Sequence, residues 1–103
     1  MTKILNATFH MKAKVWLYSA PESAWHFLTL PKKEADEISI AFEGMKRGWG
    51  SLPVKVTIGK TSWKTSIFPD KKSSSYVLPL KVEVRKKESI GVGNMVDFTI
   101  EIQ

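Results

Sequence analysis

Two stretches of this 103-residue chain read like one phrase written twice, which limits the folds open to it more than any single residue does. The first runs from Trp25 through Leu30-Pro31-Lys32-Lys33 and an amphipathic stretch to the alternating Val54-Lys55-Val56-Thr57-Ile58. The second runs from Tyr76 through Leu78-Pro79-Leu80-Lys81, a charged stretch and Gly91-Val92-Gly93-Asn94 to the alternating Val96-Asp97-Phe98-Thr99-Ile100. Each copy reads as strand, proline, short helix, turn and strand, so the expected fold is a mainly β barrel built from two similar halves with two short α-helices. A chain of this length is expected to form one domain over residues 1–103. Because both halves sit in one polypeptide, each can cover the other's strand edges, and a monomer is expected.

Along the chain, Phe9, Met11, Ala13, Val15 and Leu17 alternate with Thr8, His10, Lys12, Lys14, Trp16 and Tyr18, the period of a single half-buried strand over residues 7–18. Ala20-Pro21-Glu22-Ser23 marks a turn. The following Trp25-His26-Phe27-Leu28-Thr29-Leu30 is apolar enough to suggest a strand buried on both faces. Pro31 suits the first turn of a helix, with acids at 34, 36 and 37 near its positive end and Ala35, Ile38, Phe42 and Met45 at helical spacing. Glycines 44, 48 and 50 end that helix in a loop. Strands are expected over 53–58 and 62–68, joined at Gly59-Lys60, whose glycine-first order favours a type II′ turn. A polar loop over 69–75, a strand over 76–80, a helix over 81–88 and a last strand over 95–102 complete the pass.

The ordered set Val54-x-Val56-x-Ile58-Gly59-x-x-x-Trp63-Lys64-Thr65-Ser66-Ile67-Phe68-Pro69, then Leu78-Pro79-x-Lys81-x-x-x-Arg85-Lys86, resembles a prokaryotic family known as domain of unknown function 1905. The likeness extends through Trp25-x-Phe27-Leu28-x-Leu30-Pro31 and covers nearly the whole chain. It implies a double-split (pseudo-twofold) β-barrel, distantly like the AbrB and MazE type transcription factors, in which two chains each supply one half. It implies no activity. Asn94 stands where such turns carry Asp, which keeps the side-chain acceptor and loses the charge.

The chain has no cysteine, which excludes disulfides and thiolate chemistry and would leave any zinc site to two histidines and carboxylates. No apolar run reaches the roughly 18 residues that span a bilayer, and Met1 to Asn6 lack the apolar middle of a signal peptide, so no membrane association and a cytoplasmic location are expected. Asn6-Ala7-Thr8 is a glycosylation sequon by pattern only. Sixteen Lys and Arg against ten Asp and Glu give a charge of +6, with nine bases and five acids after residue 51. That excess favours nucleic acid or an acidic protein as partner. Only Arg47 and Arg85 are arginines, which argues against base-specific reading by guanidinium forks.

Catalysis finds little to build on. His10 and His26 are isolated, Glu34 and Glu37 suit a solvated first turn, and Ser66 has no base assigned to it. Gly59-Lys60-Thr61 lacks both the leading glycine and the strand-to-helix context of a phosphate loop, and Gly91-x-Gly93 has Val96 where a dinucleotide fingerprint needs glycine. No cofactor or metal is expected, and the chain reads as a non-enzymatic binding or interaction module. The alternative is a nucleic-acid-binding protein using a basic sheet face and the second helix. The candidate surface comprises Lys12, Lys14, Trp16, Lys55 and Lys64 on the strands, Lys81, Arg85 and Lys86 on the helix, with Lys87 beside them, and Trp49 in the Arg47-Gly48-Trp49-Gly50 loop. Trp25 and Trp63 are expected in the core, Trp16 is either covered or free to stack on a ligand ring, and Trp49 is either a plug or a binding element. A pocket for a small ligand lined by Trp49 and Trp63 is a third possibility.

Overall fold

The computed structural model describes residues 7–103; Met1 to Asn6, and with them the sequon's asparagine, lie outside the described residues. Seven strands form one antiparallel sheet in the order β1-β7-β4-β5-β6-β3-β2, accompanied by two helices. The strands are β1 (Thr8–Lys14), β2 (Trp16–Ala20), β3 (Ser23–Thr29), β4 (Leu52–Ile58), β5 (Thr61–Asp70), β6 (Ser75–Pro79) and β7 (Met95–Ile102); the helices are α1 (Lys32–Ala41) and α2 (Val82–Lys87).

The sheet curls because two of its segments change partners partway along. What the alternation suggests as one strand bends at Val15, so that β1 pairs with β7 while β2 pairs with β3. β5 does the same without a break: Thr61 to Ile67 face β4, and Phe68 to Asp70 face β6. The two ends of the sheet therefore meet at Val15, which is buried, donates its N–H to the Asn94 carbonyl at 2.9 Å and accepts from Gly93 at 2.9 Å.

These pairings are those of a pseudo-twofold barrel. The β1–β7 and β2–β3 ladders repeat as the β5–β4 and β5–β6 ladders, while β3–β6 and β4–β7 each pair the corresponding strands of the two halves. Leu28 sits opposite Leu78, and two reciprocal bonds flank the pair, Leu30 N–H to the Tyr76 carbonyl and Leu80 N–H to the His26 carbonyl, each 2.9 Å. Leu28 thus matches Leu78 and Leu30 matches Leu80, which shifts the repeat by two residues from the proline-anchored reading. The prolines differ structurally: Pro31 is the N-cap of α1, whereas Pro79 ends β6.

The core lies inside the curl. Phe9, Met11, Leu28, Leu52, Val54, Val56, Ile67, Leu78, Phe98 and Ile100 are buried there, closed at the ends by Ala35, Ile38 and Phe42 from the α1 region and Val84 from α2. Phe9 meets the edge of Phe42 at 6.3 Å. Leu17, expected inward, is 41% exposed because the bend at Val15 takes β2 away from β1. Met45 is exposed as well, in a 3-10 turn over Glu43–Met45 beyond the helix. The loop at 69–75 is shorter than expected, since Pro69 and Asp70 extend β5 and Ser75 begins β6. At the Gly59-Lys60 turn only Gly59 has positive φ, +56°, the sign pattern of type II′. In the Gly91 to Asn94 turn, the Asn94 side chain accepts from the Gly91 N–H at 2.7 Å, so the acceptor expected of Asn94 is present.

Candidate functional site

The polar outer face of the β1-β7-β4-β5 layer is not the basic platform its lysines suggest. Lys12 lies opposite Asp97, with Nζ 3.9 Å from Oδ1, and His10 Nε2 is 3.6 Å from the same oxygen. Lys55 lies between Glu101 on β7 and Lys64 on β5. Acids interleave with bases across these strands, and the local field is mixed. Lys14 is exposed at the end of β1, and Trp16, expected beside Lys12 and Lys14, belongs beyond the Val15 bend to the opposite layer.

That second layer, β2-β3-β6 with the end of β5, carries the molecule's most unusual surface. A strand period of two puts Trp16, Tyr18, Trp25, Phe27, Val77, Pro79, Phe68 and Asp70 on its outer face, where they line an open groove of about 500 Å³. β3 and β6 provide the floor through Phe27, Val77 and Pro79, and the flanking strands provide the sides, Trp16 and Tyr18 on β2, Phe68 and Asp70 on β5. Three interstrand steps of ~4.8 Å separate those sides, a width of about 14 Å.

The expectation that β3 is buried on both faces is corrected here. Leu28 is buried inward, but Trp25 is 52% exposed, not in the core, because neither helix covers the outer face of this layer. Tyr18, at 53%, and Phe68 are exposed beside it. The rings are ordered against one another: Trp16 and Phe27 at 5.1 Å between centroids, Trp25 and Phe27 at 6.4 Å and nearly parallel. Trp16 Nε1–H donates to Thr29 Oγ1 at 2.8 Å, which fixes the indole plane. Asp70 Oδ2 accepts from the Ser73 N–H at 3.2 Å and Ser73 Oγ–H at 2.7 Å, so its carboxylate is held by the following turn. Trp16 alone of these residues was a candidate from the sequence. For Trp25 and Phe27 the signal was the apolar run at 25–30, which spacing leaves equally compatible with double burial; Tyr18, Phe68, Asp70, Val77 and Pro79 join them only through the strand order.

The remaining candidates disperse. Trp49 is 95% exposed at φ 63°, projecting from its loop rather than plugging the barrel, and does not line the groove. Trp63 is half-buried against the core, its Nε1 without a partner among the described residues, so the Trp49–Trp63 pocket does not form. On α2, Lys86 and Lys87 are exposed, as is Lys81 at its N-cap, while Arg85 is half-buried and its Nε–H donates to the Leu80 carbonyl at 3.2 Å. Beneath it His26 is half-buried, with Nδ1 shut away and unpartnered among the described residues; burial, and then the Arg85 charge, hold its pKa below the ordinary 6.5. Among the described residues no three His, Asp or Glu side chains gather as a metal site would require. No helix among them is long and apolar enough to cross a membrane.

A comparison with curated proteins finds no match. The family model described as domain of unknown function DUF1905 matches residues 11–100, which takes in β2 to β6, parts of β1 and β7 and every residue of the aromatic groove, and the chain belongs to that family.

Proposed function

We propose that the protein is a non-catalytic binding module whose ligand lies in the aromatic groove of the β2-β3-β6 layer. The observation that carries this reading is the exposure of four large aromatic rings on one outer face, where solvent-facing strand positions ordinarily hold polar residues. The groove volume of about 500 Å³ falls within the range of small-molecule sites. Its only acid or base side chains, Tyr18 on β2 and Asp70 on β5, stand on opposite sides of the groove, which leaves no nucleophile beside a base and favours binding over catalysis. The test is a fragment screen read through tryptophan emission and indole N–H resonances. Ligands that shift the Trp16 and Trp25 signals, and lose affinity in Trp25→Ala, support the reading; a screen that moves neither indole overturns it.

A second reading, binding of a phosphate polymer, is favoured by one observation: Arg85, Lys86 and Lys87 fill the last turn of α2, with Lys81 at its start. Fluorescence anisotropy with labelled duplex DNA and single-stranded RNA tests it. Binding that falls steeply with salt and weakens in a Lys86→Glu, Lys87→Glu variant supports it, and absence of binding at low salt removes it. Either reading fits a monomer, since each half of the barrel pairs with the other within the chain.

A further inference from the structure

We propose that the occupant of the aromatic groove is a small quaternary ammonium compound, held by the ring faces and by the Asp70 carboxylate. This rests on the groove being a binding site and goes further by naming its ligand. Of the residues lining it, Asp70 alone belongs to the charged residue types. In a chain of charge +6, the one formally charged side chain in this apolar groove is therefore an acid. Asp70 makes no ion pair with the described residues, and its two hydrogen bonds from Ser73 both end on Oδ2, so Oδ1 has no partner among them.

The rings add to this. The face of an indole or phenyl ring carries the negative lobe of its quadrupole and attracts a cation lying over it, tryptophan most strongly. Trp16, Trp25, Phe27 and Phe68 border one groove, and the Thr29 bond and the mutual packing of the first three hold rings in place before any ligand arrives. Phosphate and carboxylate ligands meet the same faces and the same carboxylate with the wrong sign. A primary ammonium brings three N–H donors to a groove with few acceptors, and stripping their water goes uncompensated. A trimethylammonium head has no donor to satisfy and presents methyl groups to the rings. Its charge is spread over a surface that the apolar lining accepts.

The experiment titrates the full chain with choline and, in parallel, with 3,3-dimethylbutan-1-ol, its uncharged carbon isostere, following tryptophan emission and indole resonances. Choline is expected to bind about ten-fold more tightly than the alcohol. Asp70→Asn, which retains an oxygen acceptor for Ser73, is expected to remove that preference by bringing choline's affinity down to about that of the alcohol measured on the same variant. Trp25→Leu keeps apolar bulk without the ring and is expected to weaken choline selectively, which serves should Asp70→Asn fail to fold. Equal affinity for the two compounds overturns the cation inference and leaves the groove as a binding site. Silence towards both overturns it too, and the fragment screen then decides whether the groove binds anything. Tighter binding of a trimethyllysine peptide than of choline overturns the assignment to a small molecule, as does a dimer, seen by light scattering, that buries the groove.

Discussion

Four tryptophans in one short chain occupy three different environments, with Trp16 and Trp25 in the groove, Trp49 free in its loop and Trp63 against the core, and burial separates what composition treats alike. Trp63 packs against the core while Trp25 faces solvent in the groove. Trp63→Ala is expected to cost about 2 kcal/mol of stability, whereas Trp25→Ala is expected to stay within about 0.5 kcal/mol, as an exposed position does; urea denaturation of the two variants checks the contrast. His26 makes a pH prediction with a definite sign. Its folded-state pKa lies below the ordinary 6.5, because protonation would place a charge on a half-buried ring beside Arg85. The unfolded chain takes up the proton first as pH falls, so the contribution of neutral His26 is complete above 6.5 and is lost as pH drops through the lowered value. The urea midpoint is expected to fall between about pH 8 and about pH 5, and His26→Gln to flatten that slope.

At the scale of elements, turns and strand pairs carry the local demands of the fold. Gly59 opens the β4–β5 hairpin at positive φ, and a Cβ there would overlap the Glu88 carboxylate, which accepts from Thr61 Oγ1 at 2.6 Å. Gly59→Ala is expected to destabilise by about 1–2 kcal/mol, from left-handed backbone strain and displacement of Glu88. Trp49 stands in the left-handed region without glycine's freedom and with almost no buried surface in return. Trp49→Gly is therefore expected to stabilise, by up to about 1 kcal/mol in thermal unfolding. Leu28 and Leu78 face one another where β3 meets β6, both fully buried. Their alanine variants are expected to lose similar amounts, about 3 kcal/mol each, and to be non-additive when combined because they share one contact.

For the whole molecule, the ladders that join the halves replace the second chain that a two-chain swapped barrel requires. Light scattering at micromolar concentration is expected to return one chain's mass, and a stable dimer would contradict the self-pairing of the halves. Much of this architecture was legible beforehand. β7 runs from Met95 to Ile102 as its alternation predicts, the Gly59-Lys60 hairpin has the turn its glycine-first order favours, and Ala35, Ile38 and Phe42 are buried as their spacing requires. The repeat was legible too, although prolines set its register two residues away from the Leu28–Leu78 pair.

The groove was not legible, and the reason is physical. Periodicity and turn chemistry are local: they determined on their own where most of the strands lie, which face of β1, β4 and β7 is apolar, and that two like halves share the chain. A strand apolar on both faces has no preferred side, and nothing within residues 25–30 says whether its second face meets a helix or water. Only the tertiary structure decided that. The bend at Val15 and the partner change in β5 bring aromatic residues distant in sequence onto one uncovered layer, and the strand order places Asp97 and Glu101 beside Lys12 and Lys55 while leaving Asp70 alone among the rings.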